Sequence, residues 1–278
     1  MDEEREGDSQ MEIIGEKINT TRKGVEAAVR QREAAFIQDL ARRQAEAGAA
    51  FLDINSGLPL DLKEEAADFE WLVPLIQETV EVPLCLDSAH PQVIDAGLRL
   101  HKGRAMINSV NGDPAVLESI LPLAGRYHCK VIALTTSREK KIPANSAERL
   151  GIAEVIARRA QEFGVPLEDI YFDPLVLSLS TEQKNALVFL ETLRAIKRDL
   201  PGAKTVSGLS NISFGLPKRK VLNQAFVVMA VGAGMDAAIA DPTDKALMAM
   251  VTASEALSNK DPYCARYLRA FREGKLDY

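Results

Sequence analysis

Eight short apolar segments recur along the chain, and longer amphipathic stretches separate them. Each segment has the length of a β-strand, and most are rich in Ile, Val or Leu, which is typical of parallel strands buried on both faces. The eight predicted strands are residues 11–19, 50–57, 83–88, 105–110, 131–136, 170–174, 204–211 and 237–241.

The intervening stretches carry apolar residues at helical spacing, as residues 25–48 do in VEAAVRQREAAFIQDLARRQAEAG. Several end at a glycine, for example Gly48, Gly164 and Gly202, where a left-handed helix cap carries little steric cost. Strands that alternate with helices form parallel βαβ units, and eight such units close into a barrel. We therefore predict an α/β fold of the (β/α)8 TIM-barrel type, with an additional C-terminal helix from about Asp261 packed outside it.

The length of 278 residues fits one barrel, because about 250 residues are typical of that fold. No linker or shift in composition divides residues 11–278, which we interpret as a single domain. The segment before it, MDEEREGDSQ, is acidic and polar. We interpret residues 1–10 as a disordered leader, or as an extension ahead of a natural start at Met11.

Composition narrows the classes of partner. A net charge of −6 argues against nucleic-acid binding, since no excess of cations exists to displace phosphate counterions. The three cysteines are odd in number and form no CxxC pair, so neither a disulfide framework nor a metal site is predicted. No apolar run reaches the length of a spanning helix, and the start lacks the features of a signal peptide. We expect a cytoplasmic protein without a membrane partner.

Polar residues end the predicted strands. They are Asn19, Asp53, Asn55, Asp87, Ser88, Asn108, Asn111, Thr135, Asp173, Ser210, Asn211 and Asp241. The carboxyl ends of barrel strands converge on the face where active sites are found. Four of them, Asp53, Asn55, Asp87 and Asn108, lie within or against apolar runs, where polar groups need partners. We therefore expect these four to line a ligand pocket. Ser88 and Asp241 stand shortly before helices, where capping is the alternative role.

Carboxylates and amides dominate this set. The three histidines, His90, His101 and His128, fall in helical or connecting segments, and no lysine occupies a Schiff-base position, which disfavours an aldolase-like enzyme. A carboxylate can accept two parallel hydrogen bonds from adjacent N–H donors. The pattern favours a pocket for a nitrogen heterocycle with adjacent donors and a carbonyl, such as a pterin.

Seven motifs stand in order at the predicted strands: IIGEKIN, LDINSG, LCLDS, MINSVNG, YFDPL, GLSNISFGLPKR and MDAAIADP. Together they resemble the methyltetrahydrofolate–corrinoid methyltransferases. That family is related to the pterin-binding domain of cobalamin-dependent methionine synthase and, more distantly, to dihydropteroate synthase. The resemblance covers the chain from Met11 to about residue 272.

The resemblance implies roles for the matching positions. Asp87, Asn108 and Asp173 match residues that hydrogen-bond the pterin ring, with Asp173 expected at the N3–H and 2-amino edge. Asn211 matches the asparagine that contacts N5, the atom that carries the methyl group. A donor fixed at N5 stabilises the transition state, and we expect the proton to travel through water and a carboxylate network that includes Asp87 or Asp173. The expected catalytic residues are therefore Asn211, Asp87 and Asp173.

Four further positions are expected in the folate site by the same resemblance. Arg219 matches an arginine near the folate, and Asp53 and Ser210 look like supporting members of the network. Phe214 follows the methionine synthase pattern, whereas some acetogen enzymes have a polar residue there. The zinc and homocysteine site of methionine synthase has no counterpart in this sequence.

The activity implied by the resemblance is transfer of the N5-methyl group between methyltetrahydrofolate and the cobalt of a corrinoid (cobalamin) carried by a partner protein. The segment SNISFGLPKR is similar to members of demethylase systems, which favours the direction from methyl-corrinoid to tetrahydrofolate. Relatives imply a homodimer. The alternatives are a dihydropteroate synthase-like pterin enzyme, whose terminal motifs are missing here, and a non-catalytic folate-binding protein.

Overall fold

The computed structural model is a closed barrel of eight parallel strands that pair in sequence order, with β8 beside β1. The strands are β1 Glu12–Asn19, β2 Phe51–Asn55, β3 Leu84–Asp87, β4 Met106–Val110, β5 Lys130–Leu134, β6 Ile170–Asp173, β7 Lys204–Gly208 and β8 Ala237–Ala240. The (β/α)8 prediction is confirmed. The structure describes residues 10–57 and 61–277, so the interpretation of the first nine residues as a leader lies outside the described residues.

Ten α-helices are found in the part of the chain that the structure describes. They are α1 Lys23–Arg30, α2 Ala34–Glu46, α3 Leu62–Gln77, α4 Pro91–Leu100, α5 Pro114–Tyr127, α6 Ser146–Glu162, α7 Asn185–Asp199, α8 Arg219–Gly232, α9 Lys245–Leu257 and α10 Ala265–Arg272. The predicted C-terminal helix is confirmed as α10, which packs on α9. Over residues 10–57 and 61–277, no helix has the length and apolarity needed to cross a bilayer.

Two predicted elements have different bounds in the structure. The single helix expected over residues 25–48 is two helices, because the chain turns between them at Arg32, whose φ of 54° is left-handed. The seventh strand ends at Gly208 rather than at Asn211, and Leu209–Ser213 form a 3-10 turn. Ser210 and Asn211 therefore lie on a loop above the strand.

One side chain from each strand packs in the centre of the barrel. The eight are Ile14, Phe51, Cys85, Met106, Ile132, Tyr171, Val206 and Ala237, and all are buried. Because side chains alternate along a strand, the residue two positions further on points to the same side. This step leads from Phe51 to Asp53, from Cys85 to Asp87, from Met106 to Asn108 and from Tyr171 to Asp173.

A charged cluster closes the amino-terminal end of the barrel. Glu12 Oε2 accepts from the Tyr171 hydroxyl at 2.5 Å, and Glu12 Oε1 lies 3.4 Å from Lys130 Nζ and 3.3 Å from Lys204 Nζ. Both ammonium groups also donate to the Tyr171 hydroxyl oxygen, at 2.9 and 3.0 Å. The barrel is thus plugged at this end, and its opposite face carries the strand-end polar residues.

Candidate active site

Strands β2, β3 and β4 bring four polar side chains together at the carboxyl-terminal mouth of the barrel. Asn55 Nδ2 donates to Asp87 Oδ2 at 2.8 Å, and Asn108 Nδ2 donates to Asp53 Oδ1 at 3.3 Å. Parallel pairing places Asp87 beside Asn108 and Asp53 beside Cys85. Each of these hydrogen bonds thus offsets part of the free-energy cost of burying a carboxyl group.

The two carboxyl groups of this cluster resist ionisation. Burial, followed by the negative charge of Asp87, raises the pKa of Asp53 to about 8, against hydrogen bonds from Asn108 and Cys85 that lower it. Burial also raises the pKa of Asp87, and the charge of Glu65 adds to that effect. At neutral pH the pair therefore retains a proton, because two like charges in one buried site oppose each other's ionisation.

Asp173 ends β6 and has a different environment. Its Oδ1 accepts from the Leu175 backbone N–H and from the Ser207 hydroxyl, both at 2.7 Å. Burial raises the pKa of this carboxyl to about 6, and the two hydrogen bonds and the charge of Arg149 hold it from rising further. Asp173 is therefore largely ionised at neutral pH. Because Oδ1 already accepts twice, Oδ2 is the oxygen that can accept from a ligand.

The 3-10 turn after β7 holds the remaining predicted residues. Asn211 is exposed, and its Nδ2 lies 3.9 Å from the position that a Cβ on Gly208 would take, so the amide folds back over the end of β7. Arg219 Nη2 donates to the Ser210 backbone oxygen at 2.8 Å, and its guanidinium carbon lies 5.9 Å from the centre of the Phe214 ring. Phe214 is 66% exposed, so its ring is open to a ligand or partner.

Sequence reasoning missed the loop that fixes this turn. Ser178 and Ser180, which follow β6, both donate through their hydroxyls to the Phe214 backbone oxygen, at 2.5 and 3.0 Å. The Leu179 N–H donates to the Ile212 oxygen at 3.0 Å. The loops after β6 and β7 are therefore joined, which couples the position of Asn211 to that of the chain after Asp173.

Two residues at the end of β1 also belong to the mouth and were not predicted as site residues. Lys17 Nζ lies 2.6 Å from Asp241 Oδ2, and Arg22 Nη2 lies 3.3 Å from Glu16 Oε1. Burial raises the pKa of Glu16, and Arg22 opposes that effect. The motif IIGEKIN could have revealed Glu16 and Lys17, since both lie inside it among apolar residues.

Ser88 and Asp241 do not occupy the helix N-cap positions that the sequence offered them as an alternative role. The N-cap of α4 is His90, and that of α9 is Asp244, whose side chain accepts from the Leu247 N–H. Ser88 instead donates to Glu65 Oε1 at 2.7 Å and accepts from the His90 N–H. Asp241 accepts from the Thr243 N–H in a turn two residues long. Ser88 and Asp241 therefore each stabilise the turn that precedes a helix, and neither is the N-cap of that helix.

The other strand-end polar residues serve local structure. Asn19 Oδ1 accepts from the Thr21 N–H, and Asn111 Oδ1 accepts from the Asp113 N–H. Thr135 donates to the Asp173 backbone oxygen at 3.0 Å, which supports the end of β6. The structure thus places the predicted ring-binding residues in two groups, one on β2 to β4 and one on β6 and the loop after β7.

A (β/α)8 barrel whose mouth presents paired carboxyls and amides is suited to recognising a ring rich in N–H donors. The sequence pattern of the pterin-binding enzymes matches residues 15–241, and the chain belongs to that family. A methylcorrinoid:tetrahydrofolate methyltransferase of Eubacterium limosum is 36% identical over 268 residues, which cover 96% of this chain and 98% of the relative.

More distant relatives extend the comparison. Methionine synthase of Mycobacterium tuberculosis is 31% identical over 247 residues, which cover 84% of this chain but only 20% of that longer protein. The fold also matches two dihydropteroate synthases of known structure. The enzyme of Stenotrophomonas maltophilia, with imidazole in its active site, has a TM-score of 0.68 at 20% identity and covers 89% of this chain and 93% of its own. The Yersinia pestis enzyme with a pterin–sulfa conjugate has a TM-score of 0.65 at 16% identity, covering 89% and 94%. At such identities these two structures show the fold alone.

Proposed function

We propose that this protein is a methyltransferase that moves a methyl group between the cobalt of a corrinoid and N5 of tetrahydrofolate. The observation that carries the proposal is the arrangement of Asp87, Asn108, Asp173 and Asn211 around one mouth of the barrel. The nearly full-length similarity to the Eubacterium limosum methyltransferase supports the same activity.

The two groups of residues suit opposite edges of a pterin ring. Asp173 is ionised at neutral pH, and the lone pairs of its Oδ2 can accept from N3–H and the 2-amino group. The sequence suggested that both carboxyl oxygens would share these donors, but Oδ1 is already occupied by Leu175 and Ser207. Asp87 and Asn108 offer both donors and acceptors to the other edge, since a raised pKa lets a carboxyl group donate.

The roles proposed for Asn211 and the carboxyl groups follow from the proton that N5 of tetrahydrofolate loses during methyl transfer. When the lone pair of N5 takes the methyl group, the electron pair of the carbon–cobalt bond stays with the cobalt, and N5 must release its proton. The Asn211 amide oxygen can accept a hydrogen bond from N5–H and orient its lone pair, and in reverse the amide N–H can donate to N5. Because the ring occupies Asp173, Asp87, acting through water, is the carboxyl group of the mouth that can take up the released proton.

The direction from methyl-corrinoid to tetrahydrofolate fits the segment SNISFGLPKR and the name of the Eubacterium limosum relative. In a demethylase system the methyl-corrinoid is carried by a separate protein, so we propose a corrinoid protein as the partner that docks on the open mouth. A cytoplasmic homodimer completes the proposal, and analytical ultracentrifugation of the purified protein tests the dimer.

An absorbance assay under anaerobic conditions tests the activity. With methylcobalamin and tetrahydrofolate, the protein should produce cob(I)alamin, and with cob(I)alamin and methyltetrahydrofolate it should produce methylcobalamin. Asn211→Ala should lower the transfer rate by about 100-fold or more, as loss of a transition-state partner does elsewhere. An unchanged rate in this variant would remove Asn211 from the mechanism.

The same preparation separates the rival functions. Formation of dihydropteroate from pterin pyrophosphate and p-aminobenzoate would establish a dihydropteroate synthase-like enzyme instead. Binding of tetrahydrofolate without methyl exchange in either direction would favour a non-catalytic folate-binding protein.

A further inference from the structure

Arg149 on α6 is a cation buried deep beside the mouth. It is 1% exposed, although arginine is seldom fully buried unless it is paired. Its hydrogen bonds run to backbone oxygens rather than to carboxylates. Nε donates to Pro143 at 2.9 Å, and Nη1 donates to Pro174 at 2.6 Å and to Leu175 at 3.0 Å. The mechanism above gives this side chain no role.

The two oxygens that Nη1 contacts lie directly after Asp173. Leu175 has a φ of 66°, in the left-handed region that residues with a side chain rarely occupy. In this conformation the Leu175 N–H turns back and donates to Asp173 Oδ1 at 2.7 Å. The guanidinium group therefore holds the strained turn that saturates one oxygen of Asp173 and leaves the other for a ligand.

The groups around Asp173 identify Arg149 as the charge that acts on it. Strand β7 contributes the Ser207 hydroxyl, and β5 contributes Thr135, which bonds the Asp173 backbone oxygen. Neither is charged. Burial raises the Asp173 pKa, and the hydrogen bonds from Ser207 and Leu175, followed by the charge of Arg149, lower it.

We propose that Arg149 is a positioning residue for pterin binding, which fixes the turn after β6 and thereby holds the Asp173 carboxyl with one oxygen free for the ring. This inference rests on the proposed folate site. It assigns Arg149 to binding through Asp173, without contact with the reacting atoms.

The test is the affinity for tetrahydrofolate, measured by calorimetry between pH 5 and 8 without any corrinoid. Wild-type binding should weaken below about pH 6, where Asp173 gains a proton. Arg149→Gln removes the charge, so the Asp173 pKa should rise and the midpoint of this loss should move upward by roughly half a pH unit or more. Affinity at pH 7 should fall by about 100-fold, since both the turn and the charge are lost.

Arg149→Lys separates the two contributions. It keeps the charge but cannot reach three backbone oxygens at once, so affinity should fall by about tenfold while the pH midpoint stays at the wild-type value. If the glutamine variant fails to fold, this variant still decides the matter, because wild-type affinity in Arg149→Lys would overturn the proposal.

The same substitution at Arg104, which pairs with Asp169 at the amino-terminal end, is the matched control. Arg104→Gln should lower thermal stability and leave both the affinity and the midpoint unchanged. A midpoint in Arg149→Gln equal to that of wild type would overturn the inference while leaving the folate site intact. Failure of the wild-type protein to bind any reduced folate would overturn the proposed function itself.

Discussion

Asp53 is buried and Asp87 is half-buried on neighbouring strands, and Asp173 lies across the mouth on β6 with hydrogen-bond partners of its own. The motifs LDINSG, LCLDS, MINSVNG and YFDPL were enough to predict that Asp53, Asp87, Asn108 and Asp173 lie at strand ends. The sequence could not give the bond from Asn55 to Asp87, because it depends on which rotamers two strands adopt side by side. Nor could it identify Arg149, which looks like one more exposed cation in ERLGIAEVIARR.

The shared proton of the Asp53 and Asp87 pair should appear in the stability of the protein. Asp53 has an ordinary pKa near 3.8 and a folded value of about 8, so between these values the folded state holds a proton that the unfolded state has released. The contribution of Asp53 to stability should therefore fall as pH rises from about 4 to 8, by at most roughly 1.4 kcal/mol per pH unit.

Asp53→Asn removes this carboxyl while keeping an oxygen for Asn108. The variant should be more stable than wild type at pH 8, and the gain should vanish near pH 4. Urea unfolding at several pH values measures the effect. A gain that stays constant across this range would show that Asp53 does not carry the proton.

At the scale of elements, the loops after β5, β6 and β7 are fastened to one another. Arg149 joins the loops after β5 and β6, and Ser178 with Ser180 joins the loops after β6 and β7. Helical and strand periodicity predicted the elements themselves. It missed the break at Arg32 and the end of β7 at Gly208, because a left-handed residue and a 3-10 turn leave no change in apolar spacing.

Loss of the Ser178 hydroxyl should loosen the turn that carries Asn211. Ser178 is 9% exposed, so Ser178→Ala should cost about 1 kcal/mol of stability and raise the hydrogen exchange of residues 209–216. Methyl transfer should slow by roughly two- to tenfold with little change in folate affinity, since Asp173 is untouched. Ser180→Ala, at an exposed position, is the matched control and should change the exchange less.

At the scale of the whole molecule, the two ends of the barrel have different structures and different roles. The amino-terminal end is plugged by Glu12, Lys130, Lys204 and Tyr171, whereas the carboxyl-terminal mouth carries the polar groups that suit a ligand. In this fold the amino-terminal end of the barrel generally serves stability, and the carboxyl-terminal end carries the chemistry. The count of eight strands predicted the barrel, but the plug depends on contacts such as Glu12 to Lys204 between residues far apart in sequence.

Glu12→Gln should separate stability from activity. Burial works to raise the pKa of Glu12, but the Tyr171 hydroxyl and the two lysines outweigh it and lower the pKa. The ionised carboxylate thus stabilises the fold above about pH 4.5, and this contribution is lost as pH falls through its folded pKa. The variant should lose about 1–3 kcal/mol at pH 7 and less in acid, with methyl transfer at 25 °C unchanged. Slower methyl transfer in a Glu12→Gln protein that is as stable as wild type would contradict these separate roles of the two ends.

Calorimetric titration of tetrahydrofolate into the wild-type protein and Asp173→Asn tests the central claim most directly. The asparagine oxygen can still accept from Leu175 and Ser207, but an N–H₂ group replaces Oδ2 and would face the donors of the pterin. Affinity should fall by about 100-fold or more at pH 7, with the fold intact. Asp236→Asn, at an aspartate that accepts from the Thr205 N–H near the amino-terminal end, should bind like wild type. Equal affinity in Asp173→Asn and wild type would contradict a pterin site at this mouth.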